Sequence, residues 1–161
     1  LYKMNKIKVL FLSLFISGCT VPGLTSHTDH PLEIKDISIG DSIACNSLKG
    51  EIFGNVRVCH LDIKSYGGVE VQSSTVTLLN EKVAIVRLSL SQVTGFSQTG
   101  VLNAMAKKFG PPARGGRPKV HIWTNSGNTL YLDEIKGIVV LYGEDLNHVQ
   151  SIISSLDAND L

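Results

Sequence analysis

The residues that could do chemistry in this chain are scattered. Nucleophilic catalysis needs a Ser, Cys or Thr held against a base. The chain has many serines and five histidines but no Gly-x-Ser-x-Gly elbow. His60 and His121 fall in alternating strand patterns, which predicts strand-surface or hydrogen-bonded core histidines. His148 falls on the polar side of the last helical pattern. His27, Asp29 and His30 gather three ligand-type side chains within four residues, but in a stretch too flexible to pre-organise a metal site. Asp62, Glu70, Asp133 and Glu134 are the acids that strand pairing could bring together for general acid–base work. No Walker or dinucleotide glycine pattern is present, and Gly115-Gly116 lacks the strand–helix context. The expectation is therefore a protein that is not an enzyme and takes no cofactor or metal.

One charged cluster stands apart. Lys107, Lys108, Arg114, Arg117 and Lys119 place five cations within thirteen residues. Such a segment suits an acidic protein surface, lipid phosphate or peptidoglycan carboxylates. It equally suits a solvated helix end and turn. Tyr66, Trp123, Tyr131 and Tyr142 are candidate contact residues, because aromatic side chains are enriched in interfaces. Trp123, at a strand centre, is equally suited to a core.

The N-terminus predicts an address. Lys3, Lys6 and Lys8 precede an apolar run from 9 to 16, and the small residues Ser17 and Gly18 lead to Cys19. This is the layout of a secretory signal, too short to span a bilayer, which needs about 20 apolar residues. Ile16-Ser17-Gly18-Cys19 resembles a bacterial lipobox, which implies a Cys19 thiol carrying lipid after cleavage of residues 1–18. Several acyl chains anchor stably where one binds marginally. Thr20, rather than Asp, follows the cysteine and predicts delivery to the periplasmic leaflet of the outer membrane. Cleavage removes three of the 15 basic residues and none of the 14 acidic ones, so a formal net charge of +1 becomes 12 against 14, or −2. A nucleic-acid binder, which shows a basic excess, is not expected.

Cys45 and Cys59 remain as an even pair in an oxidising compartment, for which a disulfide is the default reading. Two free thiols, or a metal pair with His60 as the nearest further ligand, are the alternatives. A bridge would close a loop of about 15 residues, worth roughly 3 kcal/mol by the chain-entropy argument.

Residues 19–33 contain two Pro, a Gly and small polar side chains, and read as a flexible tether. Alternating patterns predict strands over 34–39, 56–63, 69–79, 83–90, 119–124, 129–133 and 137–142. In the first hairpin partner, residues 69, 71, 73, 75, 77 and 79 are expected on one face. In the next strand, Val83 is expected on the face of Ile85 and Arg87, with Ala84 opposite. Val101, Leu102, Met105, Ala106 and Phe109 form one helical stripe that ends at Gly110-Pro111-Pro112. Leu146, Val149, Ile153 and Leu156 form a second, C-terminal stripe. These elements predict one α+β domain over 34–161, an antiparallel sheet of about five to six strands with two packed helices.

Several short motifs occur in a recognisable order. They are Ile39-Gly40-Asp41-Ser42, the Cys45/Cys59 pair, Tyr66-Gly67-Gly68-Val69 and Leu79-Asn80-Glu81-Lys82-Val83. Ala106-Lys107-Lys108-Phe109-Gly110-Pro111-Pro112 and Trp123 with Gly127 and Leu130 follow. Over roughly 34–142 this layout resembles lipoproteins similar to the outer-membrane assembly factor BamE, and β-lactamase-inhibitor-protein-like domains. The resemblance implies a helix-plus-sheet domain that binds proteins and carries no catalytic residues. The expected function is that of a lipid-anchored envelope protein acting as an accessory or assembly factor. The alternative is a lipid-anchored inhibitor or immunity protein against a periplasmic hydrolase or toxin.

Overall fold

A computed structural model describes residues 28–45, 51–91 and 99–157. The leader, Cys19 and residues 20–27 lie outside the described residues. The first elements are β1 (Glu33–Ile34) and β2 (Ile37–Ser38), joined by Lys35 and Asp36 at φ of 51° and 63°. Two left-handed residues in a row match the twist of a tight hairpin. The single strand expected over 34–39 is thus folded back on itself, with Ile34 opposite Ile37.

Then come β3 (Glu51–Phe53), β4 (Val56–His60), β5 (Ser65–Tyr66), β6 (Val69–Leu79) and β7 (Lys82–Leu90). Helix α1 (Thr99–Phe109) follows, then β8 (Ala113–Arg114), β9 (Val120–Asn125), β10 (Asn128–Asp133), β11 (Ile138–Tyr142) and α2 (Leu146–Asp157). The large sheet is antiparallel and runs β3-β4-β6-β7-β11-β10-β9-β8, with β5 pairing β6 off this path. The protein is mostly β, which corrects the expected α+β balance and the count of five to six strands. Strands of two or three residues are too short to show an alternating pattern, and they supply the difference. The helices, of 11 and 12 residues, do not form a pair. Val101, Met105 and Phe109 of α1 join the main core with Val86, Leu88 and Trp123. Val149 of α2 packs with Val56, Ala84 and Ile85 instead. Successive strand residues point to opposite faces, so the helices lie on opposite sides of the sheet.

Two bulges decide which side chains go where. The β6–β7 register passes from Val71↔Leu90 to Ser73↔Ser89, and from Thr77↔Ile85 to Leu78↔Val83, leaving Gln72 and Ala84 as extra residues. An extra residue reverses the alternation beyond it. Val69 and Val71 therefore share the buried face with Val76 and Leu78, not with Thr75 and Thr77. Val83 joins the core, while Ala84 goes under α2, the reverse of the expected assignment.

Trp123 is fully buried, and its Nε1–H donates to the carbonyl of Gly110 at 2.8 Å. Gly110 has φ 84° and its N–H donates to Ala106 O at 2.9 Å, a left-handed stop for α1. The helix end and the central tryptophan thus fix each other. A Cβ at Gly67 (φ 57°) would come within 3.1 Å of the Val101 backbone, so the β5–β6 turn needs glycine where it meets α1.

Cys45 and Cys59 form a disulfide with a Cα–Cα distance of 5.9 Å. Cys59 is buried on the core side of β4, so the bridge ties the 41–45 segment to the sheet. The tether ends earlier than expected. Thr28 N–H donates to Thr124 O at 3.1 Å. Asn125 Nδ2 donates to the carbonyls of Thr28 at 2.8 Å and His30 at 2.7 Å. Thr28, Leu32 and Ile34 are buried, so residues 28–33 belong to the folded domain.

Candidate binding face

Among the described residues, the face of the sheet opposite α1 is only partly covered. α2 lies over its β3, β4 and β7 portion. Beside α2, strand register lines up two rows of side chains. The first is Thr75, Arg87, Val140 and Tyr131, read across β6, β7, β11 and β10. The second is Thr77, Ile85 and Tyr142. Together with Leu146 of α2 and Arg117, they line an open groove of about 550 Å³. That volume is within the range of ligand and peptide clefts.

One side of the groove is pinned. Arg117 Nη2 donates to Tyr131 Oη at 3.1 Å, and Tyr131 Oη donates to Asp133 Oδ2 at 3.3 Å. Asp133 is buried, and its Oδ1 accepts from the N–H groups of Ile135 and Lys136, each at 3.0 Å. The β10–β11 turn therefore fixes Asp133, and through it the phenol and the guanidinium. Burial, followed by the charge and hydrogen bond of Asp133, holds the Tyr131 phenol above its ordinary value, against the opposing pull of Arg117. Arg87 is exposed and makes no ion pair among the described residues. The groove thus contains two guanidiniums and two phenols beside apolar Ile85, Val140 and Leu146, and among the described residues no carboxylate lines it.

The expected five-cation cluster is divided by the fold. Arg117 alone lines the groove. Lys108 Nζ bonds Glu33 Oε1 at 2.6 Å and sits 5.3 Å from the Phe109 ring centroid, on the α1 side. Lys107 is exposed on the same helix. Arg114 pairs with the backbone position of His121 on edge strand β8. Lys119 is exposed in a turn at φ 60°. Tyr66 is half-buried beside Met105, Lys108 and Phe109 at a smaller cavity of about 240 Å³. Burial, then the charge of Glu33, raises its phenol above the ordinary 10.0. Trp123 has no exposed surface to offer a partner in this conformation.

The acids and histidines go to separate contacts. Asp62 pairs with Lys64, Glu134 bonds His121 Nε2 at 2.5 Å, and Asp133 caps its turn. Glu70, His60, His148 and His30 are exposed, and His27 lies outside the described residues. No group of three potential metal ligands occurs among the described residues. Tyr131, Tyr142 and Arg117 were legible as candidates, whereas Arg87, Ile85 and Val140 were not. Their only sequence signal is a mixed strand face, Ile85-x-Arg87-x-Ser89. Comparison with protein-family models, curated protein sequences and solved structures finds no match for this chain.

Proposed function

We propose that this protein is a lipid-anchored lipoprotein of the bacterial envelope that acts by binding another protein, as an accessory or assembly factor. The observation that carries the reading is the groove. A half-open sheet face with paired tyrosines and arginines around an apolar centre has the composition of a protein contact surface. The lipobox at Cys19 and the resemblance to BamE-like and β-lactamase-inhibitor-protein-like domains support the anchor and the binding role.

Affinity purification from solubilised envelopes tests the binding role, with the native protein compared against a Tyr142→Ala, Arg87→Ala double variant. The expected result is an outer-membrane complex captured by the native protein and lost with the double variant. Capture that survives both substitutions would remove the role from this face. Stoichiometric recovery of a single soluble hydrolase would instead favour the inhibitor reading. Labelling with a palmitate analogue should disappear in Cys19→Ala, and unchanged labelling would refute the anchor.

A further inference from the structure

The groove's charge has a chemical consequence that goes beyond protein binding in general. The chain contains fourteen acidic residues, yet among the described residues none lines the groove, where two arginines stand. Resting on the protein-binding reading, we infer that the groove recognises an extended acidic segment of its partner, with carboxylates taken by Arg87 and Arg117 and an apolar side chain set between them over Val140.

The register supports this layout. Arg87 on β7 and Tyr131 on β10 are separated only by Val140 on β11. Two strand spacings put their backbone positions roughly 10 Å apart. Arg117 reaches the Tyr131 hydroxyl, so the two guanidiniums flank Val140 from opposite sides. An extended peptide repeats its same-side residues about every 7 Å. Acidic residues four apart in a segment lying across the strands stand about 14 Å apart with one same-side residue midway, over Val140, and the two long arginine side chains span the difference. A guanidinium offers a carboxylate two parallel N–H donors, and this fork gives direction as well as strength. Arg87, unpaired among the described residues, gives up no ion pair to bind. Arg117 is already held in place by Tyr131 and Asp133, so less side-chain freedom is lost on binding. The half-buried hydroxyl of Thr75, at the far end of the first row, can donate to the peptide backbone.

The test uses end-capped, fluorescein-labelled extended peptides with Glu four residues apart and Leu or Tyr midway between them, so that all three share one face, measured by anisotropy against the full-length protein. A matched peptide with Gln for Glu is the control. The acidic peptide should bind at least tenfold more tightly than the Gln peptide. That preference should vanish in Arg87→Ala, return only in part in Arg87→Lys, and persist in a Lys107→Ala, Lys108→Ala variant. Equal binding of the Gln peptide would overturn the proposal, as would an equal loss in the Lys107, Lys108 variant, because general charge attraction would then suffice. Binding to phosphatidylglycerol vesicles with the same Arg87 dependence would assign the groove to a membrane surface and also overturn it. So would a dimer that dissociates in Arg87→Ala, which would assign the groove to a second copy. If no peptide binds while envelope capture still depends on Tyr142, the acidic segment is refuted and protein binding stands. If capture fails as well, both fall.

Discussion

The two faces of the central sheet are built from the same strands and have little else in common. Toward α1, β6, β7, β10 and β11 present Val76, Leu78, Val86, Leu88, Leu130 and Leu141, all fully buried. Toward the groove, the intervening positions hold Thr75, Arg87, Val140, Tyr131 and Tyr142, none of them buried. The period of two along a strand lets a single sheet carry a sealed side and a working side. Apolar surface removed from water holds the first together, while the second leaves hydroxyl, phenol and guanidinium groups uncovered. The two are joined at Asp133, whose carboxylate both closes the β10–β11 turn and positions the Tyr131–Arg117 pair.

The sealed side is the more sensitive to substitution. Trp123→Ala should cost about 3–5 kcal/mol, the range for deleting a large buried aromatic, and it also leaves Gly110 O without its donor. Urea denaturation would measure it. A loss below about 1 kcal/mol, the size of an ordinary surface change, would show that the ring is not the centre of the core. Replacing Cys45 and Cys59 together by Ala should cost about 3 kcal/mol by the loop-entropy argument. The comparison is with the oxidised native protein, and equal denaturation midpoints would deny the bridge a stabilising role.

A smaller effect should appear in alkali. Burial raises the Tyr66 and Tyr131 phenols above their ordinary 10.0 in the folded state. Their contribution is complete below pH 10. It falls as the pH rises from 10 toward the folded-state values, because the unfolded chain ionises first. Unfolding free energies at pH 9 and pH 11 should therefore differ, and Tyr66→Phe should reduce the difference. A difference unchanged in that variant would locate the effect elsewhere. The smallest change in stability belongs to the working side. Arg87→Ala should shift it by no more than about 0.5 kcal/mol, as for other exposed positions, while envelope capture declines. A large loss of stability would move Arg87 from contact to scaffold.

The long elements were readable because they are long. β6, β7 and β9 to β11 carry enough alternation to declare themselves, and the α1 stripe ends at Gly110-Pro111 where the helix ends. The β1–β2 hairpin was hidden because its left-handed turn is made by Lys35 and Asp36, with no glycine to announce it. Residues 28–33 read as tether because their composition is that of a loop, and what holds them is Asn125, some 95 residues away along the chain. The groove was half legible. Its tyrosines and Arg117 are conspicuous types, but Arg87 joins them only through cross-strand register. The extra residues Gln72 and Ala84, which no local pattern reveals, set instead which β6 side chains, Thr75 and Thr77, come beside it.

Asn125 also decides how the domain takes a load. Any pull on the chain ahead of Thr28 arrives first at the Thr28–Thr124 hydrogen bond and the two carbonyls that Asn125 grips. Those bonds lie at the margin of β9 and can peel one after another while Leu32 and Ile34 stay seated in the core. A load applied at Thr28 would therefore be met by this clamp before it reached the core of the sheet.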